Sequence, residues 1–207
     1  MSKKNLKNLA FVDIDTQRDF MRPDGALYVA GAENIVTNLK RLVDFAREKG
    51  IWLLSSADTH SVDDLEFEQF PPHCIVGTEG QSKITETTRI PYLVVKNQPD
   101  ALPEEVGAET QVILEKQAFD VFANPNFLRF VQEKGLAKFV VFGVATDYCV
   151  RAAALGLRGK GFEVTVVEDA IRAVDPDTGK KSLEEMKAAG VKSCTTDRLI
   201  SDLGDSH

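Results

Sequence analysis

Three kinds of side chain in this sequence could carry chemistry: a cysteine just after an apolar run, acidic residues that end apolar runs, and two histidines near an aspartate. Cys149 lies in Gly143-Val144-Ala145-Thr146-Asp147-Tyr148-Cys149-Val150. Residues 137–142 before it have the length and apolar character of a buried strand. Residues 150–160 after it carry Ala152, Ala153, Ala154, Leu155 and Leu157 and read as a packed helix, with Thr146 at the N-cap. Cys149 is therefore expected in the first turn of a helix, at the carboxyl end of a strand. Unpaired N–H groups and the helix dipole favour negative charge there, so the thiol is expected to tend toward thiolate, the form that attacks carbonyl carbon. The same N–H groups can hold a developing oxyanion.

A cysteine that cleaves an amide needs a base to take the thiol proton and return it to the leaving amine. Asp15 ends the apolar run 9–15 and can reach Cys149 if the two strands are near neighbours. A lysine beside the thiol would favour the thiolate. Lys96 and Lys116 both follow apolar runs, and the residues alone do not separate them. Asp58-Thr59-His60 follows another such run, and residues at i and i+2 of an extended segment point the same way. A carboxylate and an imidazole so placed can share a cation. His73 lies further along, in Phe70-Pro71-Pro72-His73-Cys74, and a mixed set of this kind suits zinc, iron or manganese better than calcium.

The elements that must position these groups alternate. Strands are expected at 9–15, 51–55, 92–95, 112–115, 139–142, 162–167 and 191–194. Ile35, Leu39, Leu42, Val43 and Ala46 recur at helical spacing before Gly50. Asn124 and Pro125 open a helix that Gly135 closes. Ser182-Leu183-Glu184-Glu185 resembles a capping box ahead of a short helix ended by Gly190. The weakly periodic stretch 56–89 is long for a connection, and such loops are usually functional. Strands alternating with helices predict an α/β fold: a single-domain, doubly wound sandwich around a mainly parallel sheet, with a core over about 8–195. Ligands of such folds collect outside the carboxyl ends of the strands, where Asp15, Asp58, His60 and Cys149 all fall.

The chain has 207 residues, 43% hydrophobic and 28% charged, enough for one compact domain. A net charge of −7 argues against nucleic acid or an anionic membrane as partner. No apolar run is long enough to span a bilayer, and no signal core follows the basic start, so a cytoplasmic protein is expected. Three cysteines cannot all pair, and a core of this size needs no disulfide.

The Cys149 stretch closely resembles the cysteine motif of the isochorismatase-like cysteine hydrolases, nicotinamidases in particular. Phe11-Val12-Asp13-Ile14-Asp15-Thr16-Gln17-Arg18-Asp19-Phe20 is similar to the family's first motif, an aspartate followed by x-Gln-x-Asp-Phe. Alignment on Gln17, Asp19 and Phe20 puts the catalytic aspartate on Asp15. Asp13 is then expected to make a polar contact at the sheet end, and Asp19 to fix the loop. Val112-Ile113-Leu114-Glu115-Lys116-Gln117-Ala118-Phe119 fits the lysine motif and selects Lys116. The resemblance thus implies a Cys149–Asp15–Lys116 triad and a thioester intermediate. It also implies an oxyanion hole from the N–H groups of Ala145 and Cys149, and a cis Val144–Ala145 bond. Asp58, His60 and His73 match the metal motifs, with Glu66 a fourth candidate ligand and Glu68 close behind. One divalent ion, zinc foremost, would orient a pyridine ring. Phe20, Phe70, Phe119 and Phe122, with Val144 and Ala145, match substrate-binding positions. Thr59 and Ser61 depart from the aromatic and proline usual there.

The implied function is hydrolysis of nicotinamide, a small-molecule partner, to nicotinate and ammonia by a homo-oligomer. Another small amide, or a carbamoyl or ureido compound, is the alternative. Two more distant readings remain. One is a phosphatase built on Asp13-x-Asp15 with Glu168-Asp169. The other is a binding module without catalysis.

Overall fold

The structure, a computed structural model, describes residues 6–99, 102–103 and 105–204. Seven strands form one sheet: β1 (Leu9–Ile14), β2 (Trp52–Asp58), β3 (Tyr92–Val95), β4 (Gln111–Lys116), β5 (Lys138–Val144), β6 (Glu163–Arg172) and β7 (Lys192–Cys194). Their order is β3-β4-β2-β1-β5-β6-β7, and every pairing is parallel. All six residues of β1 are buried, as a central parallel strand requires. The chain leaves β1 toward β2 on one side and returns to β5 on the other, so the strand order reverses at β1. The carboxyl ends of β1, β2, β4 and β5 meet beside that switch point, where ligand sites of open α/β sheets form. Asp15, Asp58, Lys116 and Cys149 lie at or just beyond these four ends.

Helices flank the sheet. After the short α1 (Arg18–Met21), α2 (Val36–Lys49) buries Leu39, Leu42, Val43, Phe45 and Ala46 and stops at Gly50, whose φ is 63°. The next, α3 (Pro125–Glu133), begins as expected, with the Asn124 side chain accepting from the N–H of Asn126. It is followed by α4 (Arg151–Gly159) and α5 (Pro176–Ala188). Ser182 therefore sits inside α5. The real cap is Asp175, whose carboxylate accepts from the N–H groups of Asp177 and Thr178, with Pro176 pre-set for the first turn. A last helix, α6 (Thr196–Gly204), extends the ordered fold past the expected core. Leu199 anchors it, and Asp169 accepts from the N–H and hydroxyl of Thr196 at its start. His207 lies outside the described residues. No helix among the described residues is long and apolar enough to cross a membrane.

Two backbone features set the ends of the central strands. Asp15 has φ 47°, a left-handed conformation that side chains seldom adopt, and it turns the chain sharply off β1. Gly143 has φ 116°, and a Cβ there would lie 2.1 Å from the Ile14 carbonyl oxygen. The register of β5 against β6 shifts beside it. Gly143→Ala meets both the φ restriction and that collision. It is expected to destabilise the fold by about 3 kcal/mol or more, read as a lowered denaturant midpoint at unchanged m-value.

Candidate active site

Cys149 is 7% exposed and sits in a wide turn, Thr146–Val150, in which the Ala145 carbonyl accepts from the N–H groups of Tyr148 and Val150. The i→i+5 bond makes this a π-type turn, a form frequent at functional sites. Ala145 holds the cap position and Thr146 makes no capping bond, so the turn opens one residue earlier than the sequence pattern suggests. The Val144–Ala145 peptide bond is cis.

Lys116 reaches the end of β4 fully buried, while Lys96 is exposed. The Lys116 ammonium lies 2.8 Å from Asp15 Oδ2 and 3.7 Å from Cys149 Sγ, and it donates to Asp58 Oδ1. Ser56 donates to Asp15 Oδ1 at 2.6 Å. The other oxygen, Oδ2, has no hydrogen bond of good geometry and lies against the Lys116 ammonium.

These burials reverse one expectation. Desolvation pushes the Cys149 thiol well above its usual range, and the neighbouring Lys116 charge only partly offsets it. Burial thus favours the thiol form over the thiolate. Burial likewise raises Asp15 above an ordinary aspartate, against the pull of Lys116. For Lys116 burial works the other way, but Asp15 and Asp58 outweigh it and hold the ammonium well above its normal value. Lys116 is thus a permanent cation between two carboxylates and a thiol.

Asp58 joins this group to a second one. Its Oδ1 takes the Lys116 bond, while Oδ2 lies 3.9 Å from His60 Nε2 and 3.9 Å from His73 Nε2. Ligand atoms of Asp58, His60 and His73 all fall within 4.8 Å of one another. Each imidazole has its outer nitrogen engaged: His60 Nδ1 with Asp64 Oδ2 at 2.9 Å, His73 Nδ1 with the Pro71 carbonyl at 2.8 Å. That is how metal-binding histidines are oriented. His60 Nε2 is buried with no hydrogen-bond partner, an orphaned donor atom aimed at the shared point. Burial disfavours a charged His60, yet the Asp58 and Asp64 carboxylates outweigh it and raise its pKa to about 9. The residues present therefore fit a divalent cation. Glu66 Oε1 lies 3.9 Å from His73 Nε2, whereas Glu68 is exposed.

A cavity of about 170 Å³ opens onto Cys149, Asp15 and Asp58. Phe20, Phe70, Phe119, Val144 and Ala145 line it. Phe70, Phe119 and Tyr148 meet edge to face, with ring centroids 5.4–6.1 Å apart. Phe122 is not part of it. Its ring packs on Phe127 at 4.9 Å and over Gly156 of α4, where a Cβ would come within 2.6 Å. Its 3-10 turn, Val121–Ala123, turns the side chain to the helix layer rather than to the strand ends.

Several residues of the site have roles that their places in the sequence motifs do not reveal. Gln17 grips Asp58 through the backbone, accepting from its N–H at 2.7 Å and donating to its carbonyl at 2.8 Å. Tyr148, Leu27, Tyr28, Val29 and Val174 complete the cavity wall. Asp19 ties the loops as expected, accepting from the N–H groups of Ala26 and Cys74. Asp13 is fully buried and bound to Thr16, Ser55 and Lys83, away from the cavity. Asp169 is spent on the cap of α6. The pair of acidic motifs that a phosphatase would need is therefore not assembled.

The Isochorismatase domain model matches residues 9–198. The chain belongs to the isochorismatase family. It is 30% identical over 190 residues to a probable inactive nicotinamidase of Arabidopsis thaliana, covering 91% of this chain and 93% of that one. It is 27% identical over 194 residues to the nicotinamidase/pyrazinamidase of Mycobacterium tuberculosis, covering 88% and 96%. Among solved structures, the pyrazinamidase of Pyrococcus horikoshii in complex with zinc superposes with a TM-score of 0.76 at 29% identity, covering 91% of this chain and 99% of that one.

Proposed function

We propose that this isochorismatase-family chain is a nicotinamidase, hydrolysing nicotinamide to nicotinate and ammonia. The observation that carries the reading is one small aromatic-lined cavity onto which Cys149, Asp15, Asp58 and His73 open, with Lys116 buried against the first three and His60 against the last two. The curated relative from M. tuberculosis and the zinc-bound P. horikoshii structure support it.

The cycle follows from the charges. Asp15 Oδ2 takes the thiol proton as Cys149 Sγ attacks the amide carbon, and Lys116 stabilises the pair of anions formed in succession. The N–H groups of Ala145 and Cys149 hold the oxyanion. The carbon–nitrogen bond breaks as Asp15 returns its proton to the amine, and ammonia leaves a thioester on Cys149. Asp15 then takes a proton from water, whose oxygen attacks the thioester. The acid leaves as nicotinate, losing its own proton to solvent, and the proton held by Asp15 goes back to the sulfur. Asp58, His60 and His73, with Glu66 beside them, would hold a divalent ion, which when bound supplies a Lewis-acid seat for the pyridine nitrogen. Phe20 packs on His73 at 5.3 Å, so the ring would enter between that pair and the Phe119–Tyr148 side.

The test is ammonia release from nicotinamide by the purified protein, with carbamoyl and ureido compounds in parallel. Release only from the latter would overturn nicotinamide in favour of the related hydrolases. The acid side of the pH profile gives a further check. Asp15 must be ionised to act, and burial raises it above 3.8. Activity should therefore be lost as pH falls through a midpoint above that value. A kcat/KM limb at or below 3.8 would contradict Asp15 as the base.

A further inference from the structure

Val174 stands between two spaces. On one side it lines the cavity of about 170 Å³ that holds Cys149. On the other it lines an open groove of about 350 Å³, together with Thr146, Glu168, Arg172 and Lys180. Val174 thus stands where the small, partly open cavity meets a roomier groove edged by charged side chains. Val174 is also 52% exposed, so no core packing holds it in place.

What fixes it is Asp147, two residues before the nucleophile. One Asp147 oxygen accepts from the Val174 N–H at 3.0 Å; the other accepts from the Asp175 N–H at 3.2 Å and the Thr178 hydroxyl at 2.6 Å. The segment is clamped from behind as well. Gly179 sits so close to Ala173 that a Cβ there would lie 2.5 Å from the Ala173 methyl. Arg151 at the start of α4 adds a bidentate pair with Glu185 of α5. One carboxylate therefore ties the turn that carries Cys149 to the strand-to-helix corner that lines its cavity.

We propose that Val174, latched by Asp147, sets the size limit of the site. Only a compact, single-ring amide reaches Cys149, and loss of either residue joins the cavity to the groove. Asp147 is a positioning residue, acting on substrate only through Val174. The consequence for amide choice rests on the nicotinamidase reading, but the partition itself does not.

The experiment follows alkylation of Cys149 by peptide mass spectrometry with two reagents, iodoacetamide and the much bulkier N-pyrenylmaleimide. It compares the parent, Val174→Ala and Asp147→Ala. The expected result is a bulky-to-small rate ratio raised by about tenfold in both variants, with the iodoacetamide rate little changed, as when contacts holding one local conformation are removed. An unchanged ratio in Val174→Ala overturns the partition. A raised ratio in Val174→Ala but not in Asp147→Ala overturns the latch. Should Asp147→Ala fail to fold, Asp147→Asn carries that arm, because its amide nitrogen cannot accept and one side of the latch is lost. Alkylation needs no turnover, so failure of nicotinamide hydrolysis leaves this test intact. Where hydrolysis is found, Val174→Ala should gain ring-substituted nicotinamides that the parent rejects.

Discussion

Cys149→Ala is expected to lower kcat/KM for nicotinamide by at least about 10⁴-fold, with Asp15→Asn falling close behind. The two should not add. Asp15 Oδ2 is the oxygen left without a hydrogen bond of good geometry, and burial favours the thiol form of the group it must deprotonate. Without the base the sulfur stays a thiol. Without the sulfur the base has no proton to move. The double variant should match the worse single variant within a few fold, whereas independent contributions would multiply. Ammonia release measured for all four proteins decides between these. Wild-type turnover by Cys149→Ala would remove the cysteine from the chemistry altogether. Stability gives a control. In Asp15→Asn the Lys116 ammonium keeps its pairing with Asp58, so a melting temperature measured beside the activity separates loss of chemistry from loss of fold.

The reactive residues were legible in the sequence because each follows an apolar run, and in a parallel sheet the ends of such runs gather at one edge. Choosing Lys116 over Lys96 needed the family motif; in the structure burial separates them. What the sequence could not disclose depends on contacts between distant segments. Gln17 holds Asp58 across 41 positions, and Asp147 holds Thr178 across 31. No local pattern marks a side chain whose partner is chosen by the fold. Local patterns also misled where two competed: Ser182 offered a capping box, but Asp175-Pro176 upstream is the stronger start and the helix took it. Phe122 failed for a related reason. A phenylalanine after a strand end can face the site or the helix layer, and a single 3-10 turn decided which. For the thiol, the helix-terminus effect is local and visible in sequence, while desolvation is a property of the finished core.

Metal loss should be the second large effect, and Asp58 should be the most costly ligand to change. His73→Ala removes one donor of the cluster and is expected to weaken metal binding by more than about 100-fold, read by chelator competition. Nicotinamide turnover should fall with it, and small-reagent alkylation of Cys149 should survive, because His73 makes no contact with Lys116. Asp58→Asn replaces a charged donor with a weaker neutral one and removes the negative charge that pairs with Lys116. Breaking a buried ion pair by deleting one partner typically costs about 3–5 kcal/mol, a figure that Asp15, still 2.8 Å from the ammonium, should reduce here. Asp58→Asn should therefore lose both metal and melting temperature in the metal-free protein, while His73→Ala loses metal alone. Equal melting temperatures for the two metal-free variants would mean that Asp58 serves only the metal cluster. A lower one for Asp58→Asn would mean that a single carboxylate supports two sites at once: the pair of histidines that would seat the ring, and the lysine that steadies the nucleophile attacking it.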